Sequence, residues 1–210
     1  MLAFIANSVS LTLLLVKAYT VSVIVVSMPY PAKTNSEEIL QVALELLEQD
    51  ASSLSMRNLA ERLDIKAPSL YKYFADKEAL ELALVEEGAL ALYRTLEKAA
   101  QTLKTREAFF AFARAYIEFA RERPELYTLL MTKLTPATQD SSGKMLWNFV
   151  LKLISKITRK PDDTAAAVAF WSFLHGYGVL ERSGMFGESG PKGGLEVGLE
   201  AFLKGLPKSR

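Results

Sequence analysis

From residue 36 onward, apolar positions recur at spacings of three and four, the period of helices with one buried face. Ile39, Leu40, Ala43, Leu46 and Leu47 predict a helix over Ser36–Gln49, capped by Ser36 or Asn35, with Glu37 and Glu38 in the first turn where the helix dipole favours anions. Asp50-Ala-Ser-Ser breaks the pattern. Ser55 then caps a short helix, Met56–Arg62, with Leu59, Ala60 and Leu63 inward. Asp64-Ile65-Lys66 reads as a tight turn, because Asp tolerates left-handed backbone better than most residues. A third short helix is expected from Ala67 to Tyr73, with Pro68 in the first turn, where its missing N–H costs nothing. Asp76 caps a long helix reaching Ala100, with Leu80, Leu84, Leu90, Tyr93 and Leu96 marking its buried side.

Beyond residue 100 the segments are longer and more aromatic. Thr105 is expected to cap a helix to Arg121, with Phe109, Phe112, Tyr116, Ile117 and Ala120 on one stripe. Pro124 opens a short helix through Met131. Residues 135–143 read as loop, and Lys144 to Thr158 as helix. Pro161 opens a helix to Arg182, residues 183–194 form a flexible glycine-rich connection, and a last helix runs from Leu195 to Gly205. No internal repeat is present, and alternating strand patterns are missing after the first 30 residues. The expected fold is all-α: an N-terminal three-helix unit at residues 33–80, followed by a helical bundle at residues 81–210.

Residues 1–27 differ in composition from the rest. Leu11 to Val26 is nearly all apolar or small and holds one charge, Lys17. Phe4 to Val26 would span a bilayer core of about 30 Å. Lys17 near mid-span would cost roughly 2.5–3.5 kcal/mol, which the many Leu, Val and Ile residues could offset. A secretory signal fits worse, because no basic region precedes the apolar run and no A-x-A-like site follows it. The reading preferred here is that translation begins at Met28, where a short proline-punctuated leader precedes the amphipathic helices. A membrane segment over residues 5–26 is the alternative.

Composition narrows the chemistry. With no cysteine and a single histidine, His175, in 210 residues, disulfides, thiolate metal sites, multi-histidine metal sites and a cysteine nucleophile are excluded. No acidic pair stands at metal-binding spacing, so an enzyme is not expected, and neither is a cofactor. Charge is balanced, 25 basic against 24 acidic residues, so a nucleic-acid partner would require cations gathered on one surface. From Lys33 to Leu80 there are six basic and nine acidic residues. Yet Arg57, Lys66, Lys72 and Lys77 fall at one end of this unit, while Glu37, Glu38, Glu45 and Glu48 lie on the first helix.

A helix, a short helix, a tight turn and a second short helix make a helix-turn-helix layout. Leu59, Ala60, Leu63, Ile65, Leu70 and Phe74 can hold the two short helices at a fixed angle. The opposite side of the second presents Lys66, Ala67, Ser69 and Lys72. Small residues near its start would let the backbone approach base edges, while Lys, Ser and Tyr reach phosphates. The run from Ser55 to Leu80, with Leu70-Tyr71-x-x-Phe74 and Asp76-Lys77-Glu-x-Leu80, resembles the DNA-binding domain of the TetR family of bacterial transcriptional regulators. It departs mildly at Asp64 and Asp50, where the family often has glycine. The resemblance implies that Tyr71 and Lys72 contact backbone phosphates, and base readout would fall to Lys66, Ala67, Pro68 and Ser69, helped by Arg57. Ser55 and Lys77, at the starts of their helices, complete the candidate DNA-contacting set.

A second signal, Trp171-Ser-Phe-Leu-His175-Gly-Tyr-Gly, is similar to the Trp…His-Gly signature of the WHG type of C-terminal domain. Its spacing places Trp171, Leu174 and His175 on one face, and Gly176 and Gly178 would permit close helix approach. A lone histidine on an apolar helix is more often a satisfied core or interface residue than a ligand contact, and the aromatic stripe is likewise core first. An apolar cavity for a small-molecule effector could still form from Phe112, Tyr116, Met131, Trp147, Trp171 and His175. The resemblance implies a ligand-responsive repressor in the cytoplasm, with no membrane contact, binding palindromic double-stranded operator DNA as a homodimer. The last two helices, about residues 162–182 and 195–205, are expected to form the dimer seam as a four-helix bundle with the partner. Two recognition helices would then stand about 34–36 Å apart.

Overall fold

A computed structural model of the chain describes residues 34–133 and 141–206. The chain divides into two units, residues 1–35 and residues 36–210. Of the first only Thr34 and Asn35 are described, so both readings of residues 1–27 lie outside the described residues. Among the described residues there is no strand, and no helix is long and apolar enough to cross a membrane.

Helix α1 (Ser36–Gln49) buries Ile39, Ala43, Leu46 and Leu47 of the expected stripe and leaves Leu40 half-buried. The break after it is one 3-10 turn, Ala51–Ser53, whose start Asp50 caps by accepting the Ser52 N–H at 3.0 Å. Helix α2 (Met56–Arg62) is capped by Ser55, which accepts the Asn58 N–H at 3.1 Å. Asp64 carries φ of 51°, the left-handed conformation foreseen for the turn. Helix α3 (Ala67–Leu70) is shorter than expected, because Tyr71–Tyr73 are wound as a turn. The N–H groups of Tyr73 and Phe74 both reach the Leu70 carbonyl, at 2.9 and 3.0 Å. This tightening brings Phe74 into the core just before Asp76 caps α4 (Lys77–Ala100) by accepting the Ala79 N–H at 2.8 Å.

Helix α4 is the spine, with α5 (Thr105–Glu122), α6 (Pro124–Lys133) and α7 (Ser142–Thr158) packed around it. Because several neighbours cover it, the buried arc is wider than one stripe and runs through Leu84, Val85, Gly88, Ala89, Leu92 and Leu96. Leu90 and Tyr93, expected inward, fall outside this arc and are only half-buried. At α5 the capping position is Lys104, without a side-chain cap, and Thr105 lies inside the helix. Helix α7 starts two residues earlier than expected because Ser141 caps it, accepting the Lys144 N–H at 3.2 Å. Helix α8 (Thr164–Arg182) starts later, because Asp162 turns left-handed at φ 53° and Asp163 supplies the cap.

The glycine-rich connection to α9 (Gly194–Gly205) is wound into successive turns. Gly184, Gly187, Gly190 and Gly193 each have φ between 62° and 78°, and Gly187 and Gly190 donate back to the preceding glycine carbonyls at 2.9 and 3.1 Å. Three ion pairs fasten the outside of α5 to α8 and α9: Arg121–Glu181 at 2.7 Å, Arg114–Glu196 at 3.3 Å and Arg106–Glu200. With their arginines half or more exposed, they set register more than they stabilise. Beneath them Phe109 stacks on Phe170 with ring centroids 4.5 Å apart. At Gly178 a Cβ would meet Ile117 and Tyr127 at ordinary contact distances, whereas at Gly176 it would meet nothing. Gly176 therefore does not serve close helix approach within the protomer.

Candidate nucleic-acid interface and ligand cavity

The short helices owe their rigidity to a small apolar wedge. Leu59 and Leu70 are wholly buried, Ala60 and Phe74 nearly so, and Leu63 and Ile65 close the edge. Fixing that side turns the other outward. Arg57, Lys66, Pro68, Tyr71 and Lys72 are exposed, while Ala67 and Ser69 are half-buried between them. Tyr71 is 53% exposed and Tyr73 38%, so both rings lie on the surface rather than in the core. The two remaining expected contacts are already engaged. The Ser55 hydroxyl oxygen caps α2, and Lys77 Nζ lies 3.5 Å from Glu81 one turn along α4. Among the described residues this surface thus offers three cations outside any ion pair, Lys66 and Lys72 beside α3 and Arg57 on α2, together with two phenols and small residues.

A separate cavity of about 560 Å³ opens between α6, α7 and α8, lined by Leu130, Met131, Gly143, Lys144, Leu146, Trp147 and Trp171. Of the six residues expected to line such a cavity, Met131, Trp147 and Trp171 do so. Phe112 and Tyr116 are wholly buried and His175 stands apart, so none of these three lines it. Tyr116 backs the wall instead, its ring edge-on to Trp171 with centroids 5.2 Å apart and its hydroxyl 3.8 Å from Met131 Sδ.

From that hydroxyl a buried polar chain runs outward. The Tyr116 and Tyr127 oxygens are 3.0 Å apart, and the Tyr127 oxygen is 2.7 Å from His175 Nδ1. Burial pushes the Tyr116 phenol well above its ordinary range, reinforced by Tyr127. Burial also raises Tyr127, against the opposing influence of Tyr116 and Arg182. Burial, aided by Arg182, lowers His175 and favours the neutral imidazole. The arrangement satisfying all three has Tyr116 donating to Tyr127 and Tyr127 donating to an unprotonated Nδ1. Sequence reasoning missed Tyr127. Its signal was available, since it stands one helical turn before Met131.

Helix α6 joins the two regions. Near its start the Leu126 N–H donates to Glu48 Oε1 of α1 at 3.2 Å, and near its end Lys133 Nζ lies 2.7 Å from Glu81 Oε2 of α4. Leu126 packs so closely on α4 that a Cβ on Gly88 would lie 2.8 Å from its Cδ1. One face of α6 therefore touches the helix-turn-helix unit and another lines the cavity.

Residues 39–84 match the family model described as bacterial regulatory proteins, tetR family, and residues 109–202 match the tetracyclin repressor-like C-terminal domain. Two curated relatives are similar over most of the chain. A Bacillus subtilis (strain 168) protein, the uncharacterized HTH-type transcriptional regulator YobS, is 26% identical over 172 residues, covering 80% of this chain and 90% of its own. The uncharacterized HTH-type transcriptional regulator Rv0681 of Mycobacterium tuberculosis (strain ATCC 25618 / H37Rv) is 27% identical over 169 residues, covering 76% and 75%. Among solved structures, a protein of unknown function from Rhodococcus sp. RHA1 superposes with a TM-score of 0.72 at 26% identity, covering 86% of this chain and 99% of that one.

Proposed function

The chain belongs to the tetR family of bacterial regulatory proteins, and from that premise we propose that it is a cytoplasmic, ligand-responsive repressor that binds a palindromic operator as a homodimer. The observation that carries the DNA half of this reading is the division of α3: Leu70 wholly buried, Lys66, Pro68, Tyr71 and Lys72 turned to solvent. Residues 33–80 bind DNA and residues 81–210 dimerise and bind the effector. Lys66, Ala67, Pro68 and Ser69 read base edges, with Arg57 assisting from α2. Tyr71 and Lys72 hold phosphates, and Ser55 and Lys77 approach the backbone from their helix starts. A two-fold dimer sets its recognition helices about one DNA turn apart, roughly 34–36 Å, so the two half-sites are inverted copies.

The effector half rests on the cavity between α6, α7 and α8. A ligand seated against Met131, Trp147 and Trp171 favours one position of α6. That helix is bonded to α1 through Glu48 and to α4 through Glu81. Binding there shifts the population toward a dimer whose recognition helices no longer match successive grooves. Selection of bound sites from random duplex DNA tests the reading as a whole. The expected product is an inverted repeat with half-sites about one helical turn apart. Recovery of no enriched duplex at low salt would overturn it.

A further inference from the structure

The charges of α7 are arranged in a way the operator and effector readings leave unused. Between residues 141 and 161 there are five cations, Lys144, Lys152, Lys156, Arg159 and Lys160, and no carboxylate. Lys152 and Lys156 stand one turn apart on the exposed side of α7, and Arg159, also exposed, follows at its C-cap in the left-handed conformation. Among the described residues none of the three is ion-paired. Beside this stripe lies a cleft of about 420 Å³ between the end of α4, the start of α5 and α7. It shares no lining residue with the cavity at Trp147 and Trp171.

The cleft is apolar below and cationic along one rim. Tyr93 and Phe149 meet edge to face within it, with centroids 5.6 Å apart. Leu103 and Met145 stand on its walls and are 42% and 41% exposed, so both present apolar surface to the cleft. Lys152 and Lys156 form the basic rim. The single carboxylate in the lining, Glu97, already accepts the Tyr93 hydroxyl at 2.7 Å. The α7 dipole favours cations at its C-terminal end, but by only about half a charge, far less than Lys152, Lys156 and Arg159 supply together.

We propose that this cleft is a second small-molecule site, which takes an amphiphilic anion: an alkyl chain against Leu103, Met145 and Phe149, and a phosphate on Lys152 and Lys156. Both halves are required. An ion alone gains little from exposed lysines, and an uncharged chain leaves the lysines without a counter-charge.

Calorimetric titration of the full chain with octyl phosphate, inorganic phosphate and octanol tests this. The expected result is one octyl phosphate per chain, with each of the other two probes at least tenfold weaker. Lys152→Gln/Lys156→Gln, two exposed positions that leave the fold intact by circular dichroism, is expected to weaken octyl phosphate about tenfold. The chain's two tryptophans both line the other cavity, so binding in the cleft leaves their emission unchanged. Equal affinity for inorganic phosphate would mean ion pairing only. A tryptophan emission change that tracks binding and survives in the double lysine variant would place the probe in the other cavity. Binding to anionic phospholipid vesicles without binding of monomeric octyl phosphate would make the patch a membrane contact. Each of these three results, or no binding of octyl phosphate at all, overturns the proposal.

Discussion

At the scale of single residues, two charges carry separable tests. Lys72 is exposed at the end of α3 and is read as a phosphate contact. Lys72→Ala is expected to weaken binding about equally across duplex sequences and to reduce the salt slope by about one counterion. Fluorescence anisotropy at several salt concentrations measures both, and a loss confined to one operator sequence would make Lys72 a base reader instead. His175 is the only histidine, so its imidazole signal is unambiguous. Burial lowers its folded-state pKa below the ordinary 6.5. The folded state therefore binds its proton less readily than the unfolded one. The associated stability is complete above about 6.5 and is lost as pH falls through the lowered value. A proton NMR titration should give an inflection below 6.5, and one at or above it would contradict the buried neutral imidazole. The outward face of α3 was legible residue by residue, because a helix with Leu70 inside has few ways to turn Lys66 and Lys72. The cavity was half legible. An aromatic stripe signals burial, but burial suits a core residue such as Phe112 as well as a wall residue such as Trp171.

At the scale of elements, side-chain caps start four helices among the described residues, α2, α4, α7 and α8, and two of these starts were read from the sequence. Ser55 and Asp76 fixed two helix starts because a short oxygen side chain meets an otherwise unsatisfied N–H there. The misplaced starts of α7 and α8 have the same origin, since Ser141 and Asp163 were better caps than the pattern beyond them suggested, whereas α5 starts after Lys104 with no side-chain cap. The inward face of α4 was misjudged at Leu90 and Tyr93 because a helix surrounded by neighbours has no single stripe. What no local pattern could reveal is the hydrogen bond from Leu126 N–H to Glu48, between residues 78 positions apart. This charged group satisfies one orphan donor in the first turn of α6, where the dipole also favours an anion. Glu48→Ala is expected to lower stability by about 1 kcal/mol, read from the urea midpoint. It should also loosen the link between cavity and α1, so that a ligand which releases wild-type protein from DNA releases the variant less completely. Full release at unchanged stability would remove α6 from the proposed route.

At the scale of the whole molecule, the decisive quantity is what α8 and α9 leave uncovered. Val168, Val179 and Leu180 on α8 are 40–49% exposed, and Val197 on α9 is 70% exposed. From Thr164 to Leu180 the sequence contains no Asp, Glu, Lys or Arg. Gly176, with open space where its Cβ would be, lies on the same helix. A face of small and apolar residues without charges is costly to leave in water, and packing it on its own copy gives a two-fold four-helix seam. The ion pairs of Arg114 with Glu196 and Arg106 with Glu200 hold α9 against α5, so the proposed seam would meet its copy as a preformed surface. Val197→Glu buries a carboxylate near its own symmetry mate and is expected to give monomers by sedimentation, with the helical content retained. Because Val197 is exposed within the protomer, loss of folding is not the cause. Operator affinity should then fall by about a hundredfold or more, since the second half-site is no longer bound at high effective concentration. Affinity for an isolated half-site should remain as it was. A monomeric variant that still binds the full operator as tightly as the parent would break the link between the seam and DNA recognition.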